Sequence, residues 1–187
     1  VFRWVQEYSP EIDQRFRPHL RLTNDSWRVD ETYILVKGKQ KYLYCAVDSQ
    51  ENTLDFLLTA QRDALAAKRF FRKTLKAIHT QTPRVITKGK NPAYPKAIKE
   101  LIAEKKLPKE VKLRQKKYLN NIVEQDHPWL KRLVKPGMGF GSFNTARRTV
   151  RGCEIMNMMR RGQGLGISKG AIKERIIFIN QTRGVVA

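Results

Sequence analysis

The chain has 187 residues and carries 38 Lys or Arg against 17 Asp or Glu, a formal charge of +21. Hydrophobic residues make up 41%, enough for a core, which excludes a chain of disordered composition. Folding does not need that much like charge, and a polyanion partner is its usual explanation, because Lys and Arg neutralise phosphates and release counterions. An acidic membrane surface is the competing partner, but there is no lipidation signal and no apolar run of spanning length.

Cys45 and Cys153 lie far apart, and His19, His79 and His127 do not join them at zinc-finger spacing. A disulfide framework or structural zinc is therefore not expected, and a reducing cytosol fits. No signal peptide is recognisable at the start. The first residue is Val rather than Met, as in a fragment missing its N-terminal part.

Residues 1–8 show Phe2, Val5 and Tyr8 at helical spacing, and Ser9-Pro10 is expected to end that helix. Residues 11–26 read as a polar connector. The pattern then changes to three β-rich runs, 27–36, 40–47 and 53–59, joined by polar turns: an antiparallel meander. A helix is predicted over 63–79, with Leu65, Phe70, Phe71, Leu75 and Ile78 on one broad face. A strand at 84–87, a helix at about 92–106 and a strand at 110–115 follow. A longer helix runs from about Asn120 to 134, a Gly-rich bend starts at Lys135-Pro136-Gly137, and a helix spans about 144–161. Residues 164–187 show no strong period and read as a loosely attached tail.

The order β-β-β-α-β-α-β-α predicts an α/β fold, a mixed sheet flanked by helices, which is the order of the ribonuclease H-like fold. The expected divisions are 1–26 (end of an N-terminal segment plus connector), 27–135 (core), 136–163 (a C-terminal helix on the core) and 164–187 (tail). In that order the first strand, the end of the fourth strand and the last core helix converge on one edge. Phosphodiester chemistry with two divalent ions needs carboxylates there, to hold the ions that activate the attacking oxygen and stabilise the leaving one. Oxygen ligands suit Mg²⁺ or Mn²⁺.

Asp30 sits within the first β-rich run, where a carboxylate is unfavourable without a partner or a task. Either it pairs with an Arg such as Arg28 on a sheet edge, or it holds a metal. Glu124, near the start of the 119–134 helix, reads on its own as a solvated residue favoured by the helix dipole. Asp48 reads as a turn residue capping its own backbone. Glu100 lies inside a helix, on the wrong element for a metal. Asp126 is about 200° around the helix from Glu124. His127 shares the face of Glu124 and reads either as a structural histidine or as a residue near metal or DNA.

The blocks WRVDETYILVKGKQKYLYCAVDSQENTLDF, KNPAYPKAIKEL, RQKKYLNNIVEQDH and GFGSFNTARRTVRGCEIMNMMRRGQ occur in this order. Together they resemble the successive blocks of small single-gene bacterial insertion-sequence transposases of the DDE type. VFRWVQEYSP is similar to the end of their N-terminal helix-turn-helix, so the resemblance covers about residues 1–163. It implies a ribonuclease H-like, integrase-like core, Mg²⁺- or Mn²⁺-dependent DNA cleavage and strand transfer, and a homodimer acting on element ends and target DNA. It also implies a cytoplasmic, nucleoid-associated bacterial protein. It assigns the first catalytic, metal-binding carboxylate to Asp30 and the third to Glu124.

Where the family has Thr-Asp, this chain has Lys88-Gly89, and 34 residues separate Gly89 from Glu124, the family's interval. Gly89 thus replaces the second Asp, and Lys88 is expected to add positive charge where a cation should bind. Pro128, inside the expected helix, cannot donate to the carbonyl of Glu124 and is expected to kink it. The resulting expectation is weak or single-metal binding and impaired transposition, in a decayed copy or a trapped variant. A non-catalytic DNA-binding remnant is the alternative, and a basic RNA-associated structural protein a more distant one.

Residues 105–117 hold seven Lys or Arg. Lys116, Lys117, Lys131 and Arg132 flank Glu124 and are the expected phosphate contacts, which position DNA without reading sequence. Gly137 to Gly141 lack the ending of a phosphate loop and read as a bend before a helix capped by Ser142 or Asn144.

Overall fold

The computed structural model describes residues 2–89, 91–115 and 139–182. The chain divides into two compact units, one made of residues 1–21 and 141–187, the other of residues 22–140.

The larger unit is built on a five-stranded sheet in the order β3-β2-β1-β4-β5. Its strands are β1 (Ser26–Val36), β2 (Lys39–Val47), β3 (Thr53–Thr59), β4 (Val85–Lys88) and β5 (Lys112–Gln115). β1 to β3 form the antiparallel meander, while β4 and β5 run parallel to β1. The α/β reading and its element order hold as far as β5. The expected helix from about Asn120, with Glu124 and Pro128, lies outside the described residues.

β1 is the middle strand, buried at Trp27 and Val29 on one face and then at Thr32, Ile34 and Val36 on the other. Trp27 and Val29 point to a face covered by α2 (Ala64–Lys76) and α3 (Ala93–Ala103), where they meet Tyr44, Ala46, Leu54 and Ile86 of the sheet. Phe70, Phe71, Tyr94 and Leu101 close that core from the helices, all fully buried. Burying each such side chain contributes roughly 1.5–3 kcal/mol. Asp63 caps α2, its Oδ1 accepting from the Ala66 amide at 2.7 Å. The buried stripe of α2 is Ala66, Ala67, Phe70, Phe71 and Thr74. Leu65 and Ile78, expected on the apolar face, are instead 62% and 79% exposed. Leu65 lies outside that stripe, and Ile78 lies past the last helical residue.

The bend before the last segment has a physical cause. Gly139 adopts φ +106, and a Cβ there would stand 2.9 Å from the Leu35 carbonyl oxygen. This close approach lets Phe140 exchange backbone hydrogen bonds with the end of β1, through Leu35 O and the Lys37 amide.

In the smaller unit, α1 (Phe2–Phe16) pairs with α4 (Phe143–Arg160). The expected stop at Ser9-Pro10 is wrong, because α1 runs through Pro10. Proline cannot donate to the carbonyl four residues back, which here is that of Gln6. Arg148 of α4 donates to that carbonyl at 3.3 Å, so the acceptor orphaned by Pro10 is satisfied from a neighbouring helix. Asp13, nearly fully buried, ties the same pair by accepting from Arg17 at 2.8 Å and from Arg151 at 2.7 Å. Ser142 caps α4 as expected, accepting from the Thr145 amide.

The stretch read as a loose tail contains a helix, α5 (Ile172–Thr182). The Phe178 ring packs edge-on against Phe16 and His19, each at 5.3 Å between centroids. Ahead of it, Leu20 and Gly164 form an isolated bridge.

Candidate metal and DNA site

β1 and β4 run in parallel register, with Trp27 beside Ile86, Arg28 beside Thr87 and Val29 beside Lys88. β4 ends at Lys88, so Asp30 and position 89 are the residues that directly follow the last registered pair. Residues abreast in parallel strands share a face, and successive residues alternate faces. Were the register carried one step further, a side chain at position 89 would share the face of Asp30, opposite the α2–α3 core. On its other flank Asp30 pairs with Cys45 of β2. β1 is interior to the sheet, so Asp30 is not an edge residue.

Lys88, one step earlier, shares the face of Val29. Its side chain is buried, and its ammonium donates to Gln115 Oε1 at 3.2 Å and to the Gly89 carbonyl at 3.3 Å. Burial pushes its pKa down, and the carboxylate that opposes this is Glu31. The expectation that Lys88 places charge beside Asp30 is corrected accordingly: its ammonium is engaged on the Glu31 side of the sheet.

Glu31 was not singled out from the sequence, yet it is the best-held carboxylate near Asp30. Its side chain is 7% exposed. Tyr94 Oη of α3 donates to its Oε2 at 2.6 Å. Arg62, just before α2, donates to its Oε1 through Nε at 2.9 Å and through a second, shorter bond. Burial raises the Tyr94 hydroxyl pKa well above the ordinary value, with Glu31 next in effect and Asp30 also contributing. Tyr44, paired with Glu31 across β1 and β2, is pushed up to about 12 by burial and then by Glu31. A sequence signal did exist: a second acid directly after Asp30 in a buried strand needs partners of its own.

The remaining candidates separate clearly. Glu124, Lys116, Lys117, Lys131, Arg132, Asp126, His127 and Pro128 lie outside the described residues. Asp48 is structural, accepting from the backbone amides of Asn24, Gln50 and Asn52. Glu100 is on α3 and pairs with Lys68 at 2.5 Å. On α4, Arg148 and Arg151 serve the α1 contact described above, and Arg160 donates to Asn157. Lys105, Lys106, Lys109, Lys112 and Arg114 are exposed. Among the described residues no three His, Cys, Asp or Glu side chains group closely enough to hold a metal ion.

The DDE domain family of IS240-type transposases matches residues 24–163. The chain is 37% identical over 156 residues to the Staphylococcus aureus transposase for insertion sequence-like element IS431mec, a match covering 83% of this chain and 67% of that protein. The identity and coverage are the same for the transposase for insertion sequence element IS257 in transposon Tn4003, also from Staphylococcus aureus. This chain belongs to the DDE family of bacterial insertion-sequence transposases.

Among solved structures, the HTLV-2 integrase catalytic core domain in complex with magnesium (trimeric form) superposes with a TM-score of 0.53 at 14% identity, covering 76% of this chain and 87% of that one. The BIV integrase catalytic core domain gives 0.51 at 12% identity, covering 86% and 97%. At these identities the likeness concerns the fold, and it makes this transposase chain integrase-like, with a ribonuclease H-like core. No helix among the described residues is long and apolar enough to cross a membrane.

Proposed function

We propose that this transposase chain carries the core for DNA cleavage and strand transfer of an insertion sequence, weakened at its metal site because Gly89 stands where the second carboxylate belongs. The observation that carries the reading is the β1–β4 register, whose last pair is Val29–Lys88, one residue before Asp30 on β1 and one before position 89 on β4. A carboxylate at 89 could share an ion with Asp30, and glycine offers no donor. The family's cofactor would be Mg²⁺ or Mn²⁺, whose preference for carboxylate oxygen suits Asp30. Among the described residues Asp30 is the carboxylate this reading offers to an ion, and no metal-holding group forms there without further carboxylates. Glu124 is the third carboxylate of this reading, and Lys116, Lys117, Lys131 and Arg132 are its phosphate contacts.

Support for DNA as the partner comes from the charge of +21 and from exposed lysines such as Lys105, Lys106 and Lys109. The working form is a homodimer at paired element ends in the bacterial cytoplasm, near the nucleoid. A non-catalytic DNA-binding remnant is the second reading, favoured by Gly89 itself. The two separate in a Mn²⁺-dependent nicking assay on element-end DNA, comparing the chain with its Gly89→Asp variant and with Glu124→Gln as the blank. Nicking by Gly89→Asp alone supports a core with a lesion at 89. Nicking by neither supports the remnant. Nicking by the unaltered chain above the blank overturns the role given to position 89.

A further inference from the structure

The Glu31 cluster is more than a satisfied buried charge, because of where its partners come from. Tyr94 lies in the first turn of α3, five residues after Gly89. Asn91 Oδ1 accepts from the Ala93 amide at 2.9 Å and starts that turn. The Glu31–Tyr94 hydrogen bond therefore joins the residue after Asp30 to the helix that follows position 89. It spans the same two chain segments that must hold two metal-binding carboxylates at a fixed separation. Arg62 adds a second anchor from the N-terminal end of α2, which packs against α3. A carboxylate gripped from both sides cannot slide along its strand, and neither can Asp30, its immediate neighbour. The three side-chain hydrogen bonds to this buried carboxylate are charge-assisted and geometrically demanding.

We propose that Glu31 is a positioning residue: held by Tyr94 and Arg62 on the covered face of the sheet, it fixes the spacing between Asp30 and position 89 on the other face. The proposal rests on the reading of Asp30 as a metal ligand. In this role Glu31 acts through Asp30 and not as a ligand itself.

The test uses the full chain carrying Gly89→Asp, so that both positions have a carboxylate. Mn²⁺ binding is read from the electron paramagnetic resonance of the free ion, with circular dichroism and Tm measured on every variant. Tyr94→Phe keeps the buried ring and all charges and removes only the hydrogen bond. Arg62→Met removes a nearby cation, which by charge alone should tighten Mn²⁺ binding. Positioning requires the opposite. Both variants, still folded, are expected to bind Mn²⁺ more weakly, by roughly 10-fold, as when the groups that orient metal ligands are lost. Glu31→Gln should weaken binding at least as much.

Tighter binding by Arg62→Met with no change in Tyr94→Phe overturns the proposal and leaves Glu31 a background charge. A fall in Tm with unchanged affinity also overturns it and leaves a structural clamp. Asp30→Asn distinguishes failure of the underlying reading. If Asp30→Asn binds Mn²⁺ as well as its parent, or the parent does not bind at all, the site reading fails and the clamp has nothing to position.

Discussion

Replacing Gly152 by alanine sets two effects of opposite sign against each other. Gly152 lies inside α4, and alanine at a helix-interior position is worth about 1 kcal/mol over glycine. The packing acts against it. A Cβ at 152 would lie 2.9 Å from Ser9 Cβ and 3.3 Å from Val5 Cγ1, and closer still to Ser9 Oγ. Ser9 is buried on α1, and its hydroxyl already donates to the Val5 carbonyl, so it has no free space to turn into. Either α1 and α4 separate or Ser9 leaves its rotamer, and overpacking of this kind costs typically 1–3 kcal/mol. Two side-chain carbons and a hydroxyl crowd one position, so the upper end applies. The net expectation is a loss of about 1–2 kcal/mol, or roughly 2–8 °C in Tm for a chain this long. Urea unfolding by far-ultraviolet circular dichroism measures it, with alkylation of the adjacent Cys153 as a probe local to the α1–α4 unit. The decisive comparison is the same substitution in a Ser9→Gly background, where two of the three crowding atoms are gone. There Gly152→Ala should become neutral or stabilising, a coupling of about 2 kcal/mol. An equal effect in both backgrounds would refute the close helix crossing as the cause.

Gly139→Ala should destabilise the sheet unit by about 2–3 kcal/mol, because alanine disfavours φ +106 and its Cβ meets the Leu35 carbonyl; thermal unfolding checks it. Burial, with Glu154 adding to it, pushes the Cys153 thiol up to about 11, so its thiolate is scarce at pH 8. Cys45 is buried as well. Iodoacetamide should therefore label the native chain roughly 100-fold more slowly than the urea-unfolded chain, from the thiolate fraction of Cys153 alone. Labelling of Cys153 at the unfolded rate would contradict this. Because Tyr44 has a folded pKa of about 12, above its ordinary value, its neutral form stabilises the fold fully below pH 10. That contribution is lost as pH rises from 10 through 12. Tyr44→Phe should flatten the alkaline limb of a stability–pH curve, and an unchanged limb would assign the loss to other groups.

The meander, α2, β4, α3 and β5 were legible because their signals are local: β-rich runs parted by polar turns, a 3.6-residue stripe in α2, a proline ahead of β4. Asp30 was legible for a related reason, as an acid within a β-rich run. The misreadings share one cause, a partner remote in sequence. Pro10 reads as a stop until Arg148, far along the chain, takes the Gln6 carbonyl. The helix α5 is hidden because Ile172, Ile176 and Ile177 are more than half exposed, while the contact that docks it is Phe178 against Phe16 and His19. Glu31 was passed over because strand alternation, which gives it and Asp30 opposite faces, says nothing of which partners wait on each. Lys88 looked like a charge in the metal site for the same reason, until pairing with Val29 and Gln115 assigned its face.

The discontinuous make-up of the smaller unit has a consequence during synthesis. Residues 22–140 form one uninterrupted stretch, so the sheet unit can begin to fold as it leaves the ribosome. The helix α1 emerges earlier, yet its partner α4 starts about 130 residues later. At about 5–20 residues per second, α1 waits roughly 6–25 s for the side chains that cover Phe16 and bond the Gln6 carbonyl. For that interval α1 lacks the α4 side chains it packs against. The unit that holds α1 is thus completed only after the sheet unit, and a nascent chain halted within the sheet unit would present α1 without α4 to chaperones and proteases.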